Sequence, residues 1–335
     1  MDGLRAWSIG LVFLGHLCGT VGYPKNGFTD FLGSFSHFGV QIFFVISGFL
    51  ITTLLLKEKS SSGQINLTSF YLRRTFRILP ASFAYIAIAT ASRFLLRHPF
   101  PLKYLTFALT YTMCYATDGP WVLGHLWSLS VEEQFYFFWP LALVAGFGIR
   151  KKTCWAVMII SPIARMIYAR YAPGLTEYAF PAVADSLAAG CLLALHAPEL
   201  RRLPGWIYRA PFAAVISLVA VASMYASHRS PLIWGIVPLT IAGAIHVLVV
   251  RRDWVLNNTS VVYVGTLSYS LYLFQQPFLA QAASPLKWSA FPINVVLAVV
   301  MALLSHYIVE RPMLRVGRQL NERLIRWQKQ DVVTV

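Results

Sequence analysis

Long apolar runs recur along this chain, at 4–22, 38–56, 78–96, 130–149, 153–171, 182–197, 210–227, 232–250, 262–281 and 291–309, with short polar breaks between them. A hydrocarbon core of about 30 Å takes about 20 apolar residues per helical crossing, so each run fits one membrane span. Lipid offers the backbone no hydrogen-bond partners, so spans of this length close their own bonds as helices. Charged residues make up 12% of the 335 and hydrophobic ones 57%, whereas soluble domains average about 25% charged. The predicted fold is therefore an all-α integral membrane bundle of about ten transmembrane helices, with little chain left for a soluble domain. An eleventh apolar stretch, 102–117, is short and rich in Tyr and Thr, and reads as a re-entrant or interfacial segment.

The net charge is +15. A nucleic-acid partner is not implied, because the basic residues fall in the breaks between apolar runs rather than on one patch. With the N-terminus cytoplasmic, most of the 28 Lys and Arg lie on the inner side, including Lys57, Lys59, Arg73, Arg74, Arg77, Arg150, Arg201, Arg251, Arg252 and Arg311. Positive-inside bias then puts both termini in the cytoplasm. The chain divides into a membrane domain over 1–315 and a short basic amphipathic tail over 316–335, expected against anionic lipid headgroups. Four cysteines sit in apolar stretches without CxxC or His/Cys spacing, so neither a disulfide framework nor a metal site is expected.

Polar residues inside the apolar runs carry the functional information, because each ionisable group there costs about 2.5–3.5 kcal/mol on insertion scales. His16 follows Arg5 by eleven residues. At about 1.5 Å and 100° per residue the two share one helix face roughly 16 Å apart, with Asp2 close to that face. This makes a polar stripe from the cytoplasmic edge inward; a core histidine with an orienting arginine explains it equally well. The run from Trp127 to Tyr136 opens the fourth span with Glu132 and Glu133, which point about 100° apart, so one can face the interior while the other faces water. Solvation of a helix N-terminus is another account of that pair. Arg74 and Arg77 lie three apart on one face, with Arg73 adjoining, behind Thr68 and Ser69 as candidate helix caps. Guanidinium forks suit phosphate, although any membrane protein carries a basic cluster here. Asp185 among small residues, Tyr269 within Ser268–Pro277, and Glu310 before Arg311 and Pro312 add polar groups that packing contacts or salt bridges also explain.

These segments occur in a fixed order: MDGLRAWSIGLVFLGHL, SFYLRRTFRILP, LWSLSVEEQFYFFWPL, ADSLAAGCLLAL, LSYSLYLFQQP and VERP. Together, over about residues 1–315, they resemble the membrane-bound acyltransferase-3 family, which includes bacterial O-antigen and exopolysaccharide O-acetyltransferases. The resemblance implies a bundle of about ten helices that takes an acyl group from cytoplasmic acyl-CoA to a hydroxyl of a glycan, or of its lipid-linked precursor, on the far side of a bacterial inner membrane. It places the family's Arg-spacer-His pattern on Arg5 and His16, its Arg-x-x-Arg pattern on Arg74 and Arg77, and its acidic signature on Glu132 and Glu133. Gln275 stands where many relatives carry histidine, which excludes a base at that position. Members fused to an SGNH hydrolase-like domain carry a long C-terminal extension, and no such domain is expected here.

The expected catalytic set is His16 as base, Arg5 at the oxyanion and Glu133 orienting the imidazole. Arg73, Arg74 and Arg77 are expected to hold acyl-CoA, with Asp2, Glu132, Tyr136, Asp185, Tyr269 and Glu310 in support. The donor is expected as a substrate, acetyl-CoA above all, with no permanently bound cofactor, no metal and no nucleic acid; membrane lipids are the other partners. Two alternatives stay open: a small lipophilic hydroxyl compound such as a macrolide as acceptor, and a transporter or scaffold with no dependence on acyl-CoA.

Overall fold

A computed structural model describes residues 1–227, 234–251, 254–279 and 289–333. Arg252 of the basic set, the ends 232–233 and 280–281 of two predicted spans, and residues 334–335 of the tail lie outside the described residues. Among the described residues all regular structure is helical: α1 (Asp2–Leu17), α2 (Gly27–Gly33), α3 (Ser36–Ser62), α4 (Leu67–Leu95), α5 (Leu102–Leu109), α6 (Trp121–Gly124), α7 (Leu126–Ala145) and α8 (Phe147–Tyr171) form the first half. The second half comprises α9 (Phe180–Leu195), α10 (Ala197–Leu200), α11 (Ala210–Ser227), α12 (Val237–Arg251), α13 (Thr259–Gln275), α14 (Ile293–Leu304) and α15 (Arg311–Val333).

A helix stands at each of the ten predicted stretches. Four helical stretches among the described residues are both long and apolar enough to cross a membrane: Gly27–Ser62, Leu67–Leu95, Pro173–Leu195 and Ile293–Gln328. The chain is thus a helical membrane protein. α7 falls short of that apolarity because it carries Glu132, Glu133 and Gln134 in one turn, and α1 because it is only 16 residues long and carries Asp2, Arg5 and His16. α1 also ends sooner than its apolar run, which continues to residue 22. Thr20 folds back, its hydroxyl and amide both donating to the Leu17 carbonyl, and this places His16 in the last turn rather than mid-helix.

The 102–117 stretch does not form one long helix. α5 ends at Leu109, Tyr111 takes a left-handed φ of 53°, and a short 3-10 turn covers Met113–Tyr115. Two bonds tie it to α7, from Met113 N to Ser130 Oγ at 3.1 Å and from Gln134 Nε2 to the Tyr111 carbonyl at 3.0 Å.

Small residues let the inner helices approach closely, as is common where lipid supplies no hydrophobic drive between helices. α3 packs along α9, and a Cβ on Gly48 would collide with the Leu187 carbonyl oxygen, one on Gly190 with that of Val45. α1 lies between α3 and α13. The start of α4 is capped by Asn66, whose Oδ1 accepts from Ser69 N at 2.9 Å, in place of the expected Thr68 or Ser69. Asn66 precedes both, so its carbonyl is free to reach the first unpaired amides. A π-helical turn, Ser305–Glu310, joins α14 to α15. α15 runs back along the base of α4, where Ser69 Oγ donates to Asn321 Oδ1 at 2.5 Å and Asn66 Nδ2 to Gln328 Oε1 at 2.7 Å.

Candidate active site

Two cavities meet inside the bundle. The first, narrow at about 80 Å³, is lined by Arg5 of α1, Ser47 of α3, Arg74 and Arg77 of α4, Glu132 and Tyr136 of α7, and Tyr269 and Tyr272 of α13. The second, about 270 Å³, is lined by His16, His37, Trp121, His125, Trp127 and Gln276, among others. Val40 and Tyr272 line both. α1 runs past the two of them, and its eleven-residue spacing sends Arg5 into one cavity and His16 into the other.

In the arginine cavity three guanidinium groups face one lining carboxylate. Arg5 Nη1 reaches Asp2 Oδ1 at 3.4 Å. Among the described residues Arg74 and Arg77 form no ion pair; the Arg74 guanidinium instead lies against the rings of Phe70, at 5.8 Å, and Tyr136, at 5.5 Å. Aromatic faces hold a guanidinium in place without using up its N–H donors, so Arg74 keeps its hydrogen-bonding capacity for an anion. Glu132 is fixed by Ser47, whose hydroxyl donates to Oε1 at 2.5 Å, while Tyr136 OH donates to Ser47 Oγ at 3.3 Å. The excess of positive groups in a confined space favours phosphate or carboxylate over a neutral ligand.

Among the described residues, no Asp, Glu, Lys or Arg lines the histidine cavity. His16 meets the Trp121 ring edge-on at 5.3 Å, and its Nδ1 is buried with no hydrogen-bond partner. The His37 ring is stacked parallel to Trp127 at 5.7 Å, and Tyr178 meets the same indole edge-on at 5.1 Å. Trp121 is pinned to the end of α13 by a reciprocal pair, its Nε1 donating to the Gln276 carbonyl at 3.0 Å and Gln276 Nε2 donating to the Trp121 carbonyl at 2.9 Å. Flat, amphipathic rings with few strong charges suit a polyhydroxylated, uncharged ligand face.

The remaining predicted residues are dispersed. Glu133 lines neither cavity; its Oε1 is buried without a partner, and no described hydrogen bond or ion pair joins it to His16. Glu132, not Glu133, is the carboxylate turned toward the arginines. Arg5, expected at the oxyanion, lines the cavity that His16 does not. Arg73 points away from the cavity to Glu58, at 3.2 Å, and also donates to Ser69. Asp185 is fully buried in a pair with Arg165, whose Nη2 donates to both carboxylate oxygens at 2.7 and 2.6 Å. Glu310 accepts from Ser270 Oγ at 2.9 Å and faces His306 Nδ1 at 3.1 Å, outside both cavities. Tyr269 lines the arginine cavity and donates to the Ile78 carbonyl at 2.7 Å.

Sequence reading passed over Ser47, His37, His125 and Tyr272. His125 stands one residue before α7 and is 4% exposed. The same test that singled out His16, a polar side chain among apolar neighbours, applies to each of them.

The acyltransferase domain model matches residues 1–311, and the chain belongs to the acyltransferase-3 family. It is 26% identical over its whole length to "Putative peptidoglycan O-acetyltransferase YrhL" of Bacillus subtilis, covering 58% of that protein. It is also 26% identical, over 95% of its length, to the peptidoglycan O-acetyltransferase OatA of Listeria monocytogenes, covering 56% of it. The chain therefore spans little more than half the length of these relatives. No solved structure matches it.

Proposed function

We propose that this chain is a membrane-bound O-acyltransferase. It moves an acyl group, acetyl in the first instance, from acyl-CoA to a hydroxyl of a cell-wall or cell-surface glycan or its lipid-linked precursor. The observation that carries this reading is the pair of cavities back to back, one with arginines and the other with histidine and aromatic rings, sharing the wall of Val40 and Tyr272. The glycan acceptor is supported by the peptidoglycan named for OatA and by the uncharged, aromatic lining of the histidine cavity.

Arg74 and Arg77 hold the donor's phosphates, each fork making two charge-assisted hydrogen bonds that an ammonium cannot. The narrowness of their cavity suits the extended thioester arm, which leads toward Tyr272. His16 takes the proton of the acceptor hydroxyl as its oxygen attacks the thioester carbonyl carbon. The carbon–sulfur bond then breaks, and the proton passes to the departing thiolate. An imidazole can both accept a proton and return it, so one side chain serves both transfers. With the basic ends of the helices cytoplasmic, both termini and the arginine cavity face the donor in the bacterial cytoplasm, and the histidine cavity faces the acceptor.

The test supplies acetyl-CoA and purified peptidoglycan strands to the protein in membrane vesicles and follows thiol release with ester-linked acetate on the glycan. Both are expected in wild type. Thiol release without glycan acetate would replace the glycan by another acceptor, and no acyl-CoA turnover by folded protein would end the acyltransferase reading.

A further inference from the structure

Tyr272 lies within the LSYSLYLFQQP segment and takes no part in the proton transfers of the proposed mechanism. Tyr272 and Val40 line both cavities, whereas among the described residues every other lining residue belongs to one cavity alone. The ring is held firmly. Its hydroxyl donates to the His125 carbonyl at 2.8 Å and lies 2.5 Å from Ser128 Oγ, and the ring packs on His125 at 5.4 Å and on Phe43 at 6.4 Å. Both partners of the hydroxyl sit at the start of α7, so the helix carrying Glu132 also fixes the partition. The two sides differ in kind: one is lined by arginines, and the other, lined by histidines and aromatic rings, has more than three times the volume, about 270 Å³ against about 80 Å³.

We propose that Tyr272, with Val40, is the specificity-determining partition of the transfer reaction, keeping the donor thioester from water until an acceptor hydroxyl fills the histidine cavity. This rests on the acyl-transfer reading above. In transfer, the acceptor oxygen bonds to the acyl carbon, the carbon–sulfur bond breaks and the hydroxyl proton ends on the coenzyme A sulfur. Water in place of the acceptor follows the same course and gives the free acid and the thiol, so any gap in the partition turns a transferase into a thioesterase. Tyr272 is a positioning residue in this scheme, touching neither leaving group nor nucleophile as a proton carrier.

The experiment measures, on the full chain in vesicles with acetyl-CoA and peptidoglycan strands, thiol release with and without the glycan, and acetate transferred. Tyr272→Ala and Val40→Ala each remove side-chain bulk from the wall. Each is expected to raise thiol release in the absence of glycan at least fivefold and to lower the fraction of released acetyl found on glycan. Tyr272→Phe, which keeps the ring and loses its anchor, is expected between them and wild type. Val40→Phe narrows the passage and is expected to retain acetyl-CoA binding while releasing little thiol. If Tyr272→Ala and Val40→Ala slow transfer and hydrolysis together with an unchanged ratio, the wall is merely structural and the proposal is wrong. If wild type itself releases no thiol from acetyl-CoA, the acyl-transfer reading fails and takes the partition with it.

Discussion

Two arginine sites in this bundle are built in opposite ways. Arg165 meets a carboxylate inside the protein: Asp185 takes two hydrogen bonds from it, a third comes to Asp185 from Ser186 N at 2.9 Å, and Trp234 covers the guanidinium at 5.5 Å. Arg74 and Arg77 share a cavity with Arg5 and a single carboxylate, Glu132, and neither forms an ion pair among the described residues. The first arrangement satisfies its charge from within and belongs to the fold. In the second, the anion that would complete the site has to come from outside, and this is the physical basis for assigning it to a donor rich in phosphate.

That contrast can be broken or sharpened by substitution. The largest effect is expected at His16, beyond both arginine sites: positioned base catalysis contributes about 10²–10⁴-fold, so His16→Ala should lose turnover by that factor while its melting temperature in detergent stays near wild type. Next comes Asp185→Ala, which strands Arg165 without its partner. Breaking a buried pair costs about 3–5 kcal/mol, and the expected result is a large drop in thermal stability and in yield of folded protein, with any surviving protein turning over normally. Arg74→Gln and Arg77→Gln should behave in the reverse sense, raising the KM for acetyl-CoA about tenfold each, about 1.4 kcal/mol, with little change in melting temperature or kcat. Arg73→Gln is the control. Its exposed pair with Glu58 is worth about 0–1 kcal/mol, so neither KM nor stability should move appreciably.

How far the sequence could reach depends on whether the deciding partner was near or far along the chain. Arg5 and His16 share a helix, and their face could be read from spacing alone. That two cavities rather than one lie along that face could not, because the dividing wall comes from Val40 on α3 and Tyr272 on α13. The 100° between Glu132 and Glu133 was legible, yet which of them meets the arginines depends on the rotation of α7, and it proved to be Glu132, clamped by Ser47 85 positions away in sequence. Asp185 stood out as a polar residue in an apolar helix. Its partner Arg165 lies on the preceding helix, and only packing shows that the pair is complete in itself. The helical architecture was the most legible feature, since lipid leaves the backbone so few choices. The end of α1 was the least, because the turn at Thr20 interrupts a run that is still apolar.

The central claim is that donor binding and acyl chemistry occupy separate cavities, and it is tested most directly by measuring acetyl-CoA affinity and thiol release side by side on His16→Ala. The account predicts a dissociation constant within about threefold of wild type, under ~0.7 kcal/mol, with thiol release reduced at least a hundredfold. Loss of acetyl-CoA binding in that variant, or turnover close to wild type, would contradict it.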